Sequence, residues 1–117
     1  MKKILVSLIF LLSASAAMNS MASGNIAAGE AAVKKYSCFA CHGADFNTPI
    51  DPTYPKLAGQ HADYLAHALH AYKRGADGPN GRGNAIMVGQ VAPLNDKDID
   101  NIAAYLHSLP GSLVLRK

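Results

Sequence analysis

The chain's only two cysteines stand three positions apart, with a histidine directly behind the second: Cys38-Phe39-Ala40-Cys41-His42. Few chemistries use such a pentapeptide. A structural zinc site takes four ligands, often as two paired sets, and no second set of Cys or His follows at that spacing. A thiol–disulfide redox pair normally sits in a strand–helix–strand context, and no segment here alternates with the period of two that a strand requires. Covalent attachment uses every chemical group of the motif. Two thiols at this spacing form thioethers to the two vinyl groups of a haem, and the adjacent imidazole falls beneath the iron. Cys38, Cys41 and His42 are therefore read as the attachment site of one haem c, with His42 as an axial ligand. A plain disulfide is what remains if no haem is held.

The N-terminus agrees with that chemistry. Lys2 and Lys3 precede an apolar run from Ile4 to Leu12 that only Ser7 interrupts, and mostly small residues follow to Ser23. This is the order of a secretory signal peptide. The run is shorter than the ~20 residues of a membrane span. Cleavage is expected after Ala22, giving a leader at residues 1–22 and one domain at 23–117, exported to the periplasm. An uncleaved membrane anchor is the alternative. Of the 11 Lys and Arg residues two belong to the leader, which leaves 9 against 8 acidic residues and a net charge of +1. No basic run with interleaved aromatics points to nucleic acid. A domain of about 95 residues buries only ~60–65% of its unfolded surface. This one has no tryptophan, so an apolar prosthetic group would supplement a thin core.

Three helices are legible. The first covers about Ala27 to Ser37 and runs into the cysteine motif. The second runs from about His61 to Arg74, with Leu65, Leu69 and Tyr72 on one face and Asp63, His67, His70 and Arg74 on the other; Gly75 is its stop signal. The third has Asn95 as N-cap and Asp96, Asp98 and Asp100 in its first turns, where the helix dipole favours negative charge. Its apolar stripe is Ile99, Ile102, Ala103, Leu106 and Leu109, and Pro110-Gly111 ends it. The segments 42–59 and 75–94 read as loops, the second rich in Gly, Pro and Asn. Loops that long in so small a domain are usually functional.

An electron-transfer haem needs a sixth ligand, usually methionine or histidine. Met1, Met18 and Met21 lie in the leader, so Met87 is the one methionine expected in the processed chain. It is the expected sixth ligand, with the filling of a core gap as the alternative role. His67, His70 and His107 fall on polar helix faces, and His61, at a helix start, is the rival. A vacant sixth position would instead imply binding of a small gas.

These segments together resemble the class I c-type cytochromes, in particular the short bacterial periplasmic monohaem ones, over roughly Gly29 to Leu109. Cys38-Phe39-Ala40-Cys41-His42-Gly43 matches the attachment segment. Tyr54-Pro55-Lys56-Leu57-Ala58-Gly59-Gln60 resembles the Pro-x-Leu-x-Gly segment, Asn84-Ala85-Ile86-Met87 the methionine loop, and Ala103-Ala104-Tyr105-Leu106 the C-terminal helix signature. The resemblance implies an all-α class I cytochrome c fold, three main helices with long loops wrapped around a covalently bound haem. It implies that the Pro55 carbonyl accepts a hydrogen bond from the second nitrogen of His42, as metal-bound histidines require. It also implies that the first and last helices cross with Gly29 against Tyr105. Lys34 stands where the family often has an aromatic, with Val33 and Tyr36 nearby.

The expected function is that of a soluble periplasmic carrier of single electrons, not an enzyme, docking redox partners at a haem edge near Phe39, Ala40 and the Met87 segment. Lys34, Lys35, Lys56, Lys73 and Arg74 are candidates for steering an acidic partner. The alternative is a haem-bearing subunit of a periplasmic oxidoreductase of the sulfur-compound or alcohol dehydrogenase type.

Overall fold

The computed structural model describes residues 24–112. The leader, its cleavage point and the three methionines within it lie outside the described residues. Every regular element among the described residues is a helix: α1 (Ile26–Lys35), α2 (Phe39–His42), α3 (Ala62–Arg74), α4 (Ala85–Val91) and α5 (Asp96–Ser108). None of them is long and apolar enough to cross a membrane.

The helix ends follow from local chemistry. The Asn25 side chain accepts from Ala28 N–H at 2.8 Å and so caps α1. Asn95 and Asp98 form a reciprocal capping box at the start of α5, each side chain accepting from the other's backbone N–H. This device satisfies two amide donors that the first helical turn leaves unpaired. Gly75 terminates α3 in a positive-φ conformation and returns its N–H to the Tyr72 carbonyl.

The three helices expected from periodicity are α1, α3 and α5. Two short helices were not. The cysteine motif is itself a helical turn, α2, and the segment 75–94, read as loop, contains α4. At seven residues, α4 is shorter than the 11–18-residue window in which periodicity is legible.

α1 packs chiefly on α5, and α3 lies against both α5 and α4. Val33, Val91 and Ile99 are the largest fully buried side chains, and Ile102, Ala103 and Leu106 extend the core along α5. The α1–α5 crossing depends on Gly29. A Cβ there would lie 2.0 Å from the Asn101 carbonyl oxygen and 2.6 Å from Tyr105 Cβ. Buried Asn101 reinforces the crossing by accepting from Asn25 N–H at 2.7 Å. The Tyr36 hydroxyl donates to Asp98 at 3.1 Å near the other end of α1. The aromatic partner of Tyr105 does not come from α1. Buried Phe46, in the loop after α2, meets it edge-on with centroids 6.3 Å apart.

Gly29→Ala is expected to destabilise the holoprotein by about 1–3 kcal/mol through overpacking, although alanine is intrinsically the better helix former by about 1 kcal/mol. Chemical denaturation checks this. An unchanged midpoint would mean that the helices separate freely and that the close approach is not a constraint.

Candidate functional site

The attachment motif is shaped by what precedes and follows it. Ser37 adopts φ +54° and breaks α1 from α2. Cys38 N–H still reaches back to the Val33 carbonyl at 3.0 Å, and His42 N–H donates to the Cys38 carbonyl at 3.1 Å. Helical spacing of three therefore puts Cys38 and Cys41 on one side of the turn. Gly43 ends it at φ +88°, where a Cβ would strike the Thr48 carbonyl oxygen at 2.1 Å. The chain can reverse at this point only without a side chain.

His42 is buried, and its Nδ1 lies 3.0 Å from the Pro55 carbonyl oxygen. A carbonyl can only accept, so Nδ1 carries the proton and the Nε2 lone pair is left for a metal. The Pro55 segment is in turn fixed. Leu57 and Ala58 N–H groups both donate to the Phe46 carbonyl, at 2.8 and 3.1 Å, and Gly59 N–H donates to the Leu106 carbonyl at 2.9 Å. Phe46, which sequence reasoning did not single out, thus supports the imidazole through two links.

Three contiguous chambers meet at His42 and Met87, which line all of them. The largest has about 760 Å³ of empty space, is lined by both cysteines, and has Leu57, Leu69, Val91, Leu94, Ile102 and Leu106 in its walls. Met87 is brought there by α4, whose N-cap Asn84 accepts from the Met87 N–H at 3.0 Å. The other histidines are elsewhere. His61, His67, His70 and His107 line a separate groove between α3 and α5, with the His61 and His107 rings stacked at 6.4 Å. None of the four lines any of the three chambers.

The residues present suit a haem. Burial pushes the Cys38 thiol up, with the Cys41 charge adding to it. A raised thiol pKa lowers the fraction of thiolate, which is the nucleophile in thiol–disulfide exchange. An apolar slot with two thiols at one edge and a correctly protonated imidazole in its wall matches a flat, covalently anchored macrocycle. Of the lysines and arginines named for steering, Lys34 is paired with Glu30 at 2.6 Å. Lys73 donates to the Leu94 carbonyl, and Arg74 to the Pro79 and Asn80 carbonyls. Phe39 and Ile86 are exposed apolar side chains beside the cysteines and Met87.

Such a site is that of a c-type haem protein. The family model described as Cytochrome c matches residues 26–110, and the chain belongs to that family. It carries haem c, attached through thioethers. It is 39% identical to cytochrome c4 of Stutzerimonas stutzeri over 97% of this chain and 53% of that protein. It is 42% identical to cytochrome c-554(548) of Halomonas halodenitrificans over 74% of this chain and 98% of that protein. The crystal structure of reduced recombinant cytochrome c4 from Pseudomonas stutzeri superposes with a TM-score of 0.67 at 41% identity, covering 77% of this chain and 48% of that one. The chain thus spans about half the length of the cytochrome c4 relatives. It is also 38% identical to the thiosulfate dehydrogenase electron acceptor of Thiomonas intermedia over 65% of this chain and 33% of that protein.

Acid–acetone extraction is expected to leave the haem on the wild-type polypeptide and to release it entirely from a variant with both Cys38 and Cys41 changed to Ala. The absorbance of the extracted protein checks this. Haem retained by the double variant would place the covalent bond elsewhere.

Proposed function

We propose that this protein is a periplasmic carrier of single electrons, with His42 and Met87 as the axial ligands, and not an enzyme. The observation that carries this reading is the convergence of His42 and Met87 on the same three chambers. When bound, the haem iron supplies a one-electron Fe(III)/Fe(II) couple. The chain's own residues set its conditions. Pro55 holds the His42 ring through Nδ1 and leaves Nε2 as the donor. Met87 offers a soft thioether, which favours the lower oxidation state and so a higher potential than two histidines would give. Leu57, Leu69, Ile102 and Leu106 keep water from the cleft, and burial disfavours the more highly charged oxidised centre. Phe39 and Ile86, exposed next to the cysteines and Met87, supply an apolar rim on which a redox partner can dock.

A second reading follows from one kind of relative, found in two organisms. Its name, thiosulfate dehydrogenase electron acceptor, supports a chain that takes electrons from a sulfur-compound dehydrogenase and copurifies with it, in place of diffusing freely. The two readings share one site and differ in partner lifetime.

Met87→Ala is expected to abolish the weak far-red thioether-to-Fe(III) band of the oxidised protein and to lower the midpoint potential, as an absorption spectrum and a redox titration would show. A variant that kept both would exclude Met87 as ligand. Gel filtration of an extract followed by the haem band separates the carrier from the subunit: a single small species fits the carrier, co-elution with a dehydrogenase the subunit.

A further inference from the structure

Four of the chain's five histidines, all but His42, gather in one place. His61, His67, His70 and His107 line the groove between α3 and α5, which Asp63 and Asp100 also border. No lysine or arginine among the described residues lines it, so its charge favours a cation. The haem site leaves these imidazoles unused, since none of them lines a chamber at His42 and Met87.

Two of the four stand together, one of them already oriented as a ligand. His107 Nδ1 lies 2.7 Å from the Gln60 carbonyl oxygen. The carbonyl can only accept, so Nδ1 carries the proton and the Nε2 lone pair is left over. Metal-bound imidazoles are oriented in this way, and His42 uses the same device on Pro55. His61, the residue after Gln60, stacks on His107 with centroids 6.4 Å apart and planes 25° from parallel. Two imidazoles on one metal, with metal–nitrogen bonds of about 2.0–2.1 Å, hold their centroids about 4.5–6.5 Å apart. The pair therefore needs only ring rotation to share an ion. His61 is exposed and its side chain makes no capping bond to α3, so that rotation breaks no helix cap. His70, by contrast, faces Asp96 at 3.9 Å.

We propose that His61 and His107 form a surface site for one divalent transition metal ion of the kind that imidazole suits, copper(II) ahead of zinc(II) or nickel(II). His107 supplies Nε2 and His61 a ring nitrogen. No third His, Cys, Asp or Glu among the described residues completes a metal-holding group with them. Water takes the remaining positions, and the ion stays exchangeable, unlike one in a closed four-ligand site. The site is separate from electron transfer and from the choice of axial ligands. It has one route to the haem. Gln60 and His61 continue the segment that begins at Pro55, whose carbonyl holds His42, so an ion there clips that segment to the end of α5.

The test titrates untagged, oxidised holoprotein with copper(II), followed by electron paramagnetic resonance and haem absorption. The wild type is expected to bind a single saturating equivalent whose signal carries nitrogen splitting from two imidazoles. H61Q and H107Q should each weaken that binding at least about tenfold, while H67Q and H70Q leave it unchanged. The haem spectrum should stay constant throughout, because the groove lies apart from the chambers at His42 and Met87. Several weak equivalents that no single variant removes would mean adventitious surface binding and would overturn the assignment. A loss confined to H67Q or H70Q would overturn it as well. Copper that erases the far-red thioether band would place the ion at the Met87 face and so count against the pair. A metal-free protein that lacks that band defeats the Met87 reading alone, and the copper site is still decided by H61Q and H107Q.

Discussion

The close approach of α1 and α5 at Gly29 is the constraint on which the rest of the molecule depends. Without a side chain there, the backbone of α1 comes within contact of the Asn101 carbonyl. The crossing is then fixed at both ends, by Asn25 on Asn101 and by Tyr36 on Asp98. Because Ser37 turns the chain directly out of α1 into α2, this crossing also sets where the cysteine turn stands relative to α5. Ile102 and Leu106, from the same helix, face both the core and the cleft. One helix pair thus positions the covalent anchor and the opposite wall together.

The cleft explains why so small a core suffices. Leu57, Leu69 and Met87 pack only partly against the buried cluster and line the chambers as well. Their burial is completed when an apolar group fills the slot, and a fully buried side chain of this size contributes ~1.5–3 kcal/mol. Attachment is therefore a folding event as well as a functional one. The protein's polar demands at the site are few: one imidazole N–H on one carbonyl, held by a short ladder of loop amides from Phe46 to Leu106.

Much of this was legible in the sequence, for local reasons. α1, α3 and α5 show their apolar stripes, and Asn95 and Gly75 mark ends that the structure places within a residue of expectation. The Gly29–Tyr105 contact and the Pro55 carbonyl on His42 were implied by resemblance, and both are present in the geometry. What escaped notice was short or non-local. α4 spans two turns inside a glycine-rich segment, although Asn84 three residues before Met87 was a usable capping signal. Phe46 supplies the ring facing Tyr105 across 59 positions of chain, which no periodicity encodes. Arg82 on Tyr64 and Tyr72 is likewise a tertiary arrangement, visible only once α3 and the loop before α4 are placed.

The short α4 has a consequence for how the molecule comes apart. α1 is locked to α5 along its length, whereas the main helical neighbour of α4 is α3, and its start is held by a single asparagine cap. Cooperative units in a protein open in order of their own stability, the least buried first. The two sides of the cleft therefore differ in kind. The histidine side belongs to the unit that opens last and is tied to it covalently through the neighbouring thioethers. The methionine side rides on the unit that opens first. Under stress the protein would pass through a state with its core and anchor intact and one face of the slot open to solvent.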